Sequence, residues 1–245
     1  MKILSIGNSF SQDAQRYLHA LAKADGENFK TVNLYIGGCP LRTHYLNMLG
    51  EYASYDFQFN GESTGLKVSI RQALESDDWD VVTFQQASHF SADYTSYQPY
   101  LNALVEYVRK YCPHAKLYIH ETWAYEEGSE RLKTTAGFDS AKGMLEKIRE
   151  AYAKAAADVQ ADGIIPCGEA MLCAVDLGIG KIHRDTFHAS LGAGRYLLAL
   201  CWYKALTGKD VSQNAFDCFD EPVTGEERKI VIDAVNLTFE RFGKK

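Results

Sequence analysis

The chain has 245 residues, 46% of them apolar and 24% charged, with 26 Lys and Arg against 32 Asp and Glu. A net charge of −6, with no Lys/Arg cluster able to neutralise several phosphates, excludes a nucleic-acid footprint. No apolar run approaches the roughly 20 residues of a membrane-spanning helix, and this length supports one full hydrophobic core, so a single domain over residues 1–245 is expected.

Lys2–Ile6 is a short apolar strand signal, and Gln12–Lys23 follows with Ala14, Tyr17, Leu18, Leu21 and Ala22 at helical spacing. Lys30–Ile36 is a second strand ending in Gly37-Gly38, with a helix over Leu41–Leu49 after Pro40. Tyr55–Val68 alternates aromatic and polar residues around Asn60-Gly61, the signal of a β-hairpin outside the main pattern. Three helix–strand pairs come next: Ser69–Ser76 with Asp80–Phe84, Tyr100–Tyr111 with Lys116–His120, and Ser140–Val159 with Gly163–Pro166. Ala189–Leu206 and Gly225–Phe242 read as closing helices. Strands alternating with helices imply a parallel sheet covered on both faces, hence an α/β/α three-layer sandwich with five parallel strands and a small hairpin insertion.

The N-terminus shows no basic segment, long apolar stretch or small-residue cleavage site, so a cytoplasmic protein is expected, or an exported one if a leader has been removed. The six cysteines are scattered without a close CxxC pair, and are expected to be structural thiols.

In an open α/β sheet, ligands bind beyond the carboxyl ends of the strands. Those ends carry Gly7-Asn8-Ser9, Gly37-Gly38, Gln85-Gln86-Ala87-Ser88-His89, Glu121-Thr122-Trp123-Ala124-Tyr125 and Cys167-Gly168-Glu169. His183-Arg184-Asp185-Thr186-Phe187-His188 precedes a late helix. A serine, a glycine pair, side-chain amides and an Asp/His pair on one rim form the inventory of an acyl-transfer site. Ser9 opens a helix, so its N–H is unpaired, and its hydroxyl needs a base to become a nucleophile. Gly38 lets its N–H approach an oxyanion closely, and a Gln amide after the third strand adds a donor. Asp185 and His188 are close enough for the carboxylate to fix the imidazole tautomer while the other ring nitrogen faces Ser9. Asp13 and Arg16 are expected to be solvated or structural, and His120 a core residue.

The order G-N-S, glycine after strand two, an amide after strand three and a late D-x-x-H resembles the SGNH (GDSL-type) hydrolases. It is most similar to the subfamily with a G-N-S-F-S opening and a Q-x-x-S third block, often labelled a domain of unknown function. The resemblance runs from Ile3 to about Leu206 and implies a flavodoxin-like sandwich and a serine esterase without a metal or other cofactor. It makes Ser9 the nucleophile, His188 the general base and acid, and Asp185 the residue that orients it. The oxyanion hole would be Ser9 N–H, Gly38 N–H and a third-block side chain. The usual G-x-N-D block is Gln85-Gln86-Ala87-Ser88 here. A likeness to the Q-G-E block of sialate-type acetylesterases favours Gln85 as the replacement donor, with Gln86 the alternative.

Gln86, Glu121 and Trp123 are expected to line the substrate pocket, with His89, Tyr94, Tyr97, Tyr125 and Glu169 nearby. Aromatic faces beside polar groups suit a carbohydrate ester. The leading expectation is therefore an esterase that removes a small acyl group, acetyl above all, from a sugar or similar alcohol. Two other readings stand beside it: a catalytically silent sugar- or nucleotide-binding sandwich, and a metal-dependent hydrolase using His183, Asp185 and His188.

Overall fold

Short runs of β-branched and apolar residues form the strands, and the central parallel strands are buried because helices cover both faces of the sheet. In the computed structural model, which describes residues 1–242, the chain runs β1 (Lys2–Gly7), α1 (Ser9–Gln15), α2 (Leu18–Ala24), β2 (Lys30–Tyr35) and α3 (Leu41–Leu49). It continues through β3 (Tyr55–Phe59), β4 (Glu62–Val68), α4 (Ile70–Glu75), β5 (Val81–Phe84), α5 (Tyr100–Tyr111), β6 (Lys116–His120) and α6 (Glu130–Thr134). It closes with α7 (Ala141–Asp158), β7 (Gly163–Ile165), α8 (Cys167–Asp176), α9 (Ala193–Thr207) and α10 (Gly225–Phe242).

The strands form one seven-stranded sheet in the order β4-β3-β2-β1-β5-β6-β7. From β2 to β7 all pairings are parallel, and the order of those five strands is the 2-1-3-4-5 of flavodoxin-like folds. The hairpin β3–β4 does not stand apart from the sheet: β3 pairs antiparallel with β2 and extends that edge. Its turn residues Asn60 and Gly61 have φ of 50° and 83°, the left-handed pair that closes a tight hairpin. β1 lies centrally, with Ile3, Leu4 and Ile6 fully buried. α1, α2, α8 and α10 pack around α9 on one side, while α3 and α4 pack on α5 and α7 lies on β6 and β7.

The expected helix Gln12–Lys23 is instead two helices broken at Arg16-Tyr17. Tertiary bonds outweigh helical propensity there. Arg16 forms a bidentate pair with Asp220 at 2.8 and 2.6 Å and donates to Gly61 O at 3.2 Å. The Tyr17 hydroxyl donates to Leu191 O and accepts from Asp220 N. Helix α8 has no counterpart in the expected elements. Five cysteines are buried and Cys218 is exposed. Among the described residues no helix is long and apolar enough to cross a membrane.

Candidate active site

The turn from β1 into α1 is tight. A Cβ on Gly7 would fall 2.1 Å from Ser11 Oγ, so only glycine admits the helix so close to the strand. Asn8 caps α1, accepting from Phe10 N at 3.0 Å, and its side-chain amide donates to Cys39 O at 3.2 Å. That bond ties the β1 end to the Gly37-Gly38 loop after β2. Gly38 has φ +62°. Ser9, as the first residue of α1, has no helical acceptor for its N–H.

The late loop is shaped by its own backbone. A bridge between His183 and Ala189 closes it, Arg184 N donates to His188 O at 3.0 Å, and Thr186 turns it at φ 73°. Asp185 Oδ1 accepts from His188 N at 2.9 Å, while Asp185 Oδ2 lies 2.7 Å from His188 Nδ1. His188 Nε2 lies 2.9 Å from Ser9 Oγ. Burial works to raise the Asp185 carboxyl, but the hydrogen bonds from the His188 ring and backbone outweigh it and hold the group below its usual value. An ionised carboxylate only accepts, so Nδ1 carries the ring proton and Nε2 presents a lone pair to the Ser9 hydroxyl. Asp13, fully buried on α1, accepts two bonds from Arg184 Nη1 at 3.0 and 2.9 Å and one from Arg195 Nε at 2.9 Å. It is structural, and it fastens the late loop to the helix that begins at Ser9.

Ser9, Gly38 and His188 line a groove of about 390 Å³ with Tyr35, Gly37, Ser88, Tyr125, Arg131 and Phe187 among its walls. A larger hollow of about 490 Å³ lies beyond Tyr125, walled by Met171, Leu172 and Ile182. It contains none of Ser9, Asp185 or His188.

Several expected site residues lie elsewhere. Gln85 is buried below the groove, where its amide donates to Asn8 Oδ1 and its carbonyl accepts from His120 Nδ1 at 2.6 Å. Burial lowers His120 to about 3, so the ring is neutral and this network carries no charge. Gln86 accepts from Leu41 N at 3.0 Å and donates to Ser96 at 3.0 Å, clamping two loops. Neither amide lines the groove; strand alternation cannot be extended to them because β5 stops at Phe84. Ser88, from the same block, does line the groove, and its Oγ lies 3.0 Å from the Tyr125 hydroxyl.

Trp123 is fully buried, stacked on Phe10 at 4.1 Å, and donates from Nε1 to Phe187 O at 2.7 Å. It supports the late loop from beneath instead of touching the groove. Tyr94 and Tyr97 stack on each other away from the groove, whereas His89 and Tyr125 line it. Glu169 pairs with Arg149. His183 places Nε2 3.2 Å from Ala124 O, away from the Asp185–His188 contact, and no group of three or more His, Cys, Asp or Glu among the described residues could hold a metal ion.

Glu121 is also buried, accepting from Glu169 N at 3.2 Å. Burial, reinforced by the Glu169 charge, raises it to about 8. An acid raised on folding costs stability as pH climbs from its unfolded pKa towards its folded one. Glu121→Gln should therefore melt close to wild type near pH 4, and progressively higher than wild type as pH rises to 8. Paired melting curves across that range check this.

A flavodoxin-ordered sheet with a serine after β1, glycines after β2 and a late Asp/His loop over the same groove is the architecture of the SGNH (GDSL-type) hydrolases. Within that class the chain belongs to the family described as "Domain of unknown function (DUF4886)", whose model matches residues 2–236. A DUF4886 family protein from Bacteroides uniformis ATCC 8492 is 34% identical, with 100% of this chain and 96% of that one covered and a TM-score of 0.92. A protein from Slackia heliotrinireducens assigned to the SGNH hydrolases is 25% identical, covering 84% of this chain and 98% of that one at TM-score 0.61. Axe2, an acetylxylan esterase from Geobacillus stearothermophilus, shares the fold at TM-score 0.53, with 15% identity over 84% of this chain and 94% of that one. No curated protein matches the sequence.

Proposed function

We propose that the protein is a serine esterase that removes a small acyl group, acetyl above all, from a carbohydrate or similar alcohol. The observation that carries this reading is the unbroken chain Asp185 Oδ2–His188–Ser9 Oγ, with contacts of 2.7 and 2.9 Å. In it, Ser9 Oγ attacks the ester carbonyl carbon while its proton moves to His188 Nε2. The tetrahedral oxyanion is received by the N–H groups of Ser9 and Gly38. The imidazolium returns the proton to the leaving oxygen as the C–O bond breaks, leaving acyl-Ser9 and free alcohol. Water, deprotonated by His188, then hydrolyses the acyl-enzyme to the carboxylic acid. A groove of about 390 Å³ suits a ligand of sugar size.

Ser88 is the third oxyanion donor in this reading. The Ser88 Oγ lies 3.0 Å from the Tyr125 hydroxyl; with Tyr125 as the donor of that bond, the serine proton is free for the oxyanion. Ser88→Ala should lower kcat by about 10²–10³-fold while barely moving KM, the pattern of a donor that acts on the transition state. Steady-state kinetics on one ester separates the two constants.

The reading is tested with p-nitrophenyl esters from acetate to octanoate, with and without a chelator. It expects turnover that falls with acyl length and ignores the chelator. No turnover of any ester, or turnover abolished by chelation, would overturn it.

A further inference from the structure

The protein carries a net charge of −6, yet the residues that line its groove include two arginines, two histidines and no Asp or Glu. Arg184 is already neutralised by buried Asp13. Arg131 is different. Its guanidinium carbon lies over the Phe187 ring, 4.0 Å from the centroid, and among the described residues it forms no ion pair. A cation held in place by an aromatic face, without a carboxylate partner, presents its donors to whatever enters the groove.

The position also fixes which half of an ester it would meet. The Phe187 and His188 rings are 3.8 Å apart at their centroids, so Arg131 stands on the His188 side. In an esterase, the oxygen that receives the proton from His188 is the leaving oxygen, so this side holds the alcohol. In the same reading the carbonyl oxygen turns instead to the Ser9 and Gly38 N–H groups.

We infer that Arg131 is a specificity-determining residue that binds an anionic group on the alcohol half of the substrate, so that the natural substrate is an acylated acidic sugar or similar acidic alcohol. This rests on the esterase reading above and narrows its substrate class. A guanidinium forms paired hydrogen bonds with a carboxylate or a phosphate monoester, so the two sources of charge are separated by experiment.

Three substrates decide it: mono-O-acetylated methyl glucoside, mono-O-acetylated methyl glucuronoside and mono-O-acetylated glucose 6-phosphate. Wild type should prefer at least one acidic ester over the neutral one by about tenfold or more in kcat/KM, mostly through KM, with the gap closing at high salt. Arg131→Gln should bring that ratio to about one, whereas Arg71→Gln, a charge-matched change at a surface residue paired with Glu51 and Glu75, should leave it as in wild type. Preference for the glucuronoside alone assigns a carboxylate, and preference for the phosphate alone assigns a phosphate. A wild-type ratio near one, or a ratio that survives Arg131→Gln, overturns the inference while leaving the esterase reading intact. If no ester is hydrolysed, the esterase reading fails, and calorimetric titration with unacetylated methyl glucuronoside, methyl glucoside and glucose 6-phosphate takes over. Tighter binding of either acidic sugar that Arg131→Gln removes supports the charge recognition; equal or absent binding of all three overturns it.

Discussion

Ser9→Ala and His188→Ala should each lower kcat on p-nitrophenyl acetate by about 10⁴–10⁶-fold, and the double variant should be no worse than the weaker single one. The reason is that the two groups act as one unit. Without the His188 lone pair at 2.9 Å the Ser9 hydroxyl keeps its proton, and without the hydroxyl the imidazole has nothing to activate. Melting temperatures should stay close to wild type, because Ser9 and His188 are only partly buried and neither lies in the apolar core. Additive losses in the double variant would mean that the residues act independently, and the relay would be the wrong description.

Asp185→Asn is the second large effect. The carboxylate accepts from both the ring and the backbone N–H of His188. An asparagine can keep the backbone bond through its carbonyl but turns an N–H₂ donor towards Nδ1. The ring then moves its proton to Nε2, which can no longer accept from Ser9. A loss of about 10²–10⁴-fold in kcat is expected, with the upper end belonging to fully buried carboxylates. The Asp185 side chain is 46% exposed, so water can partly restore the tautomer and the loss should fall towards the lower end. Because hydrogen bonds hold Asp185 below the usual carboxylate range, it stays ionised throughout the neutral range. The stability it contributes is present above its unfolded pKa and is lost only as pH falls through the folded one. A pH profile of kcat for Asp185→Asn beside wild type, taken between pH 6 and 9, reads the loss where this carboxylate is constant.

The parts legible in the sequence are those fixed by local chemistry or strand order. Five parallel strands could be read from apolar runs, and helices over Leu41–Leu49, Tyr100–Tyr111 and Gly225–Phe242 appear with those bounds. The rule that sites gather at strand ends puts Ser9, Gly38, Asp185 and His188 on one rim; in the folded chain Ser9, Gly38 and His188 line one groove, with Asp185 behind the His188 ring. What failed was extrapolation beyond the ends of strands. β5 stops at Phe84 and β6 at His120, so alternation no longer says where Gln85, Gln86, Glu121 or Trp123 point. All four turned inward to satisfy buried polar atoms or fill the layer beneath the late loop. Ser88 stands in the third block without a role of its own in the sequence, since its partner Tyr125 comes from the loop after β6. Arg131 gave no signal at all: it reaches the groove from α6 through a stack on Phe187, a tertiary contact between residues with no periodicity in common. The break at Arg16-Tyr17 was hidden for the same reason, because Asp220 and the hairpin turn that hold it lie far along the chain.

The most direct test of the account is covalent labelling with a fluorophosphonate, read by intact mass and peptide mapping. Wild type should take up one adduct per chain, on the peptide containing Ser9; His188→Ala should label far more slowly, and Ser9→Ala not at all. A folded wild-type protein that takes no adduct, or takes it at a serine other than Ser9, would contradict the assignment of Ser9 as the nucleophile and with it the esterase reading.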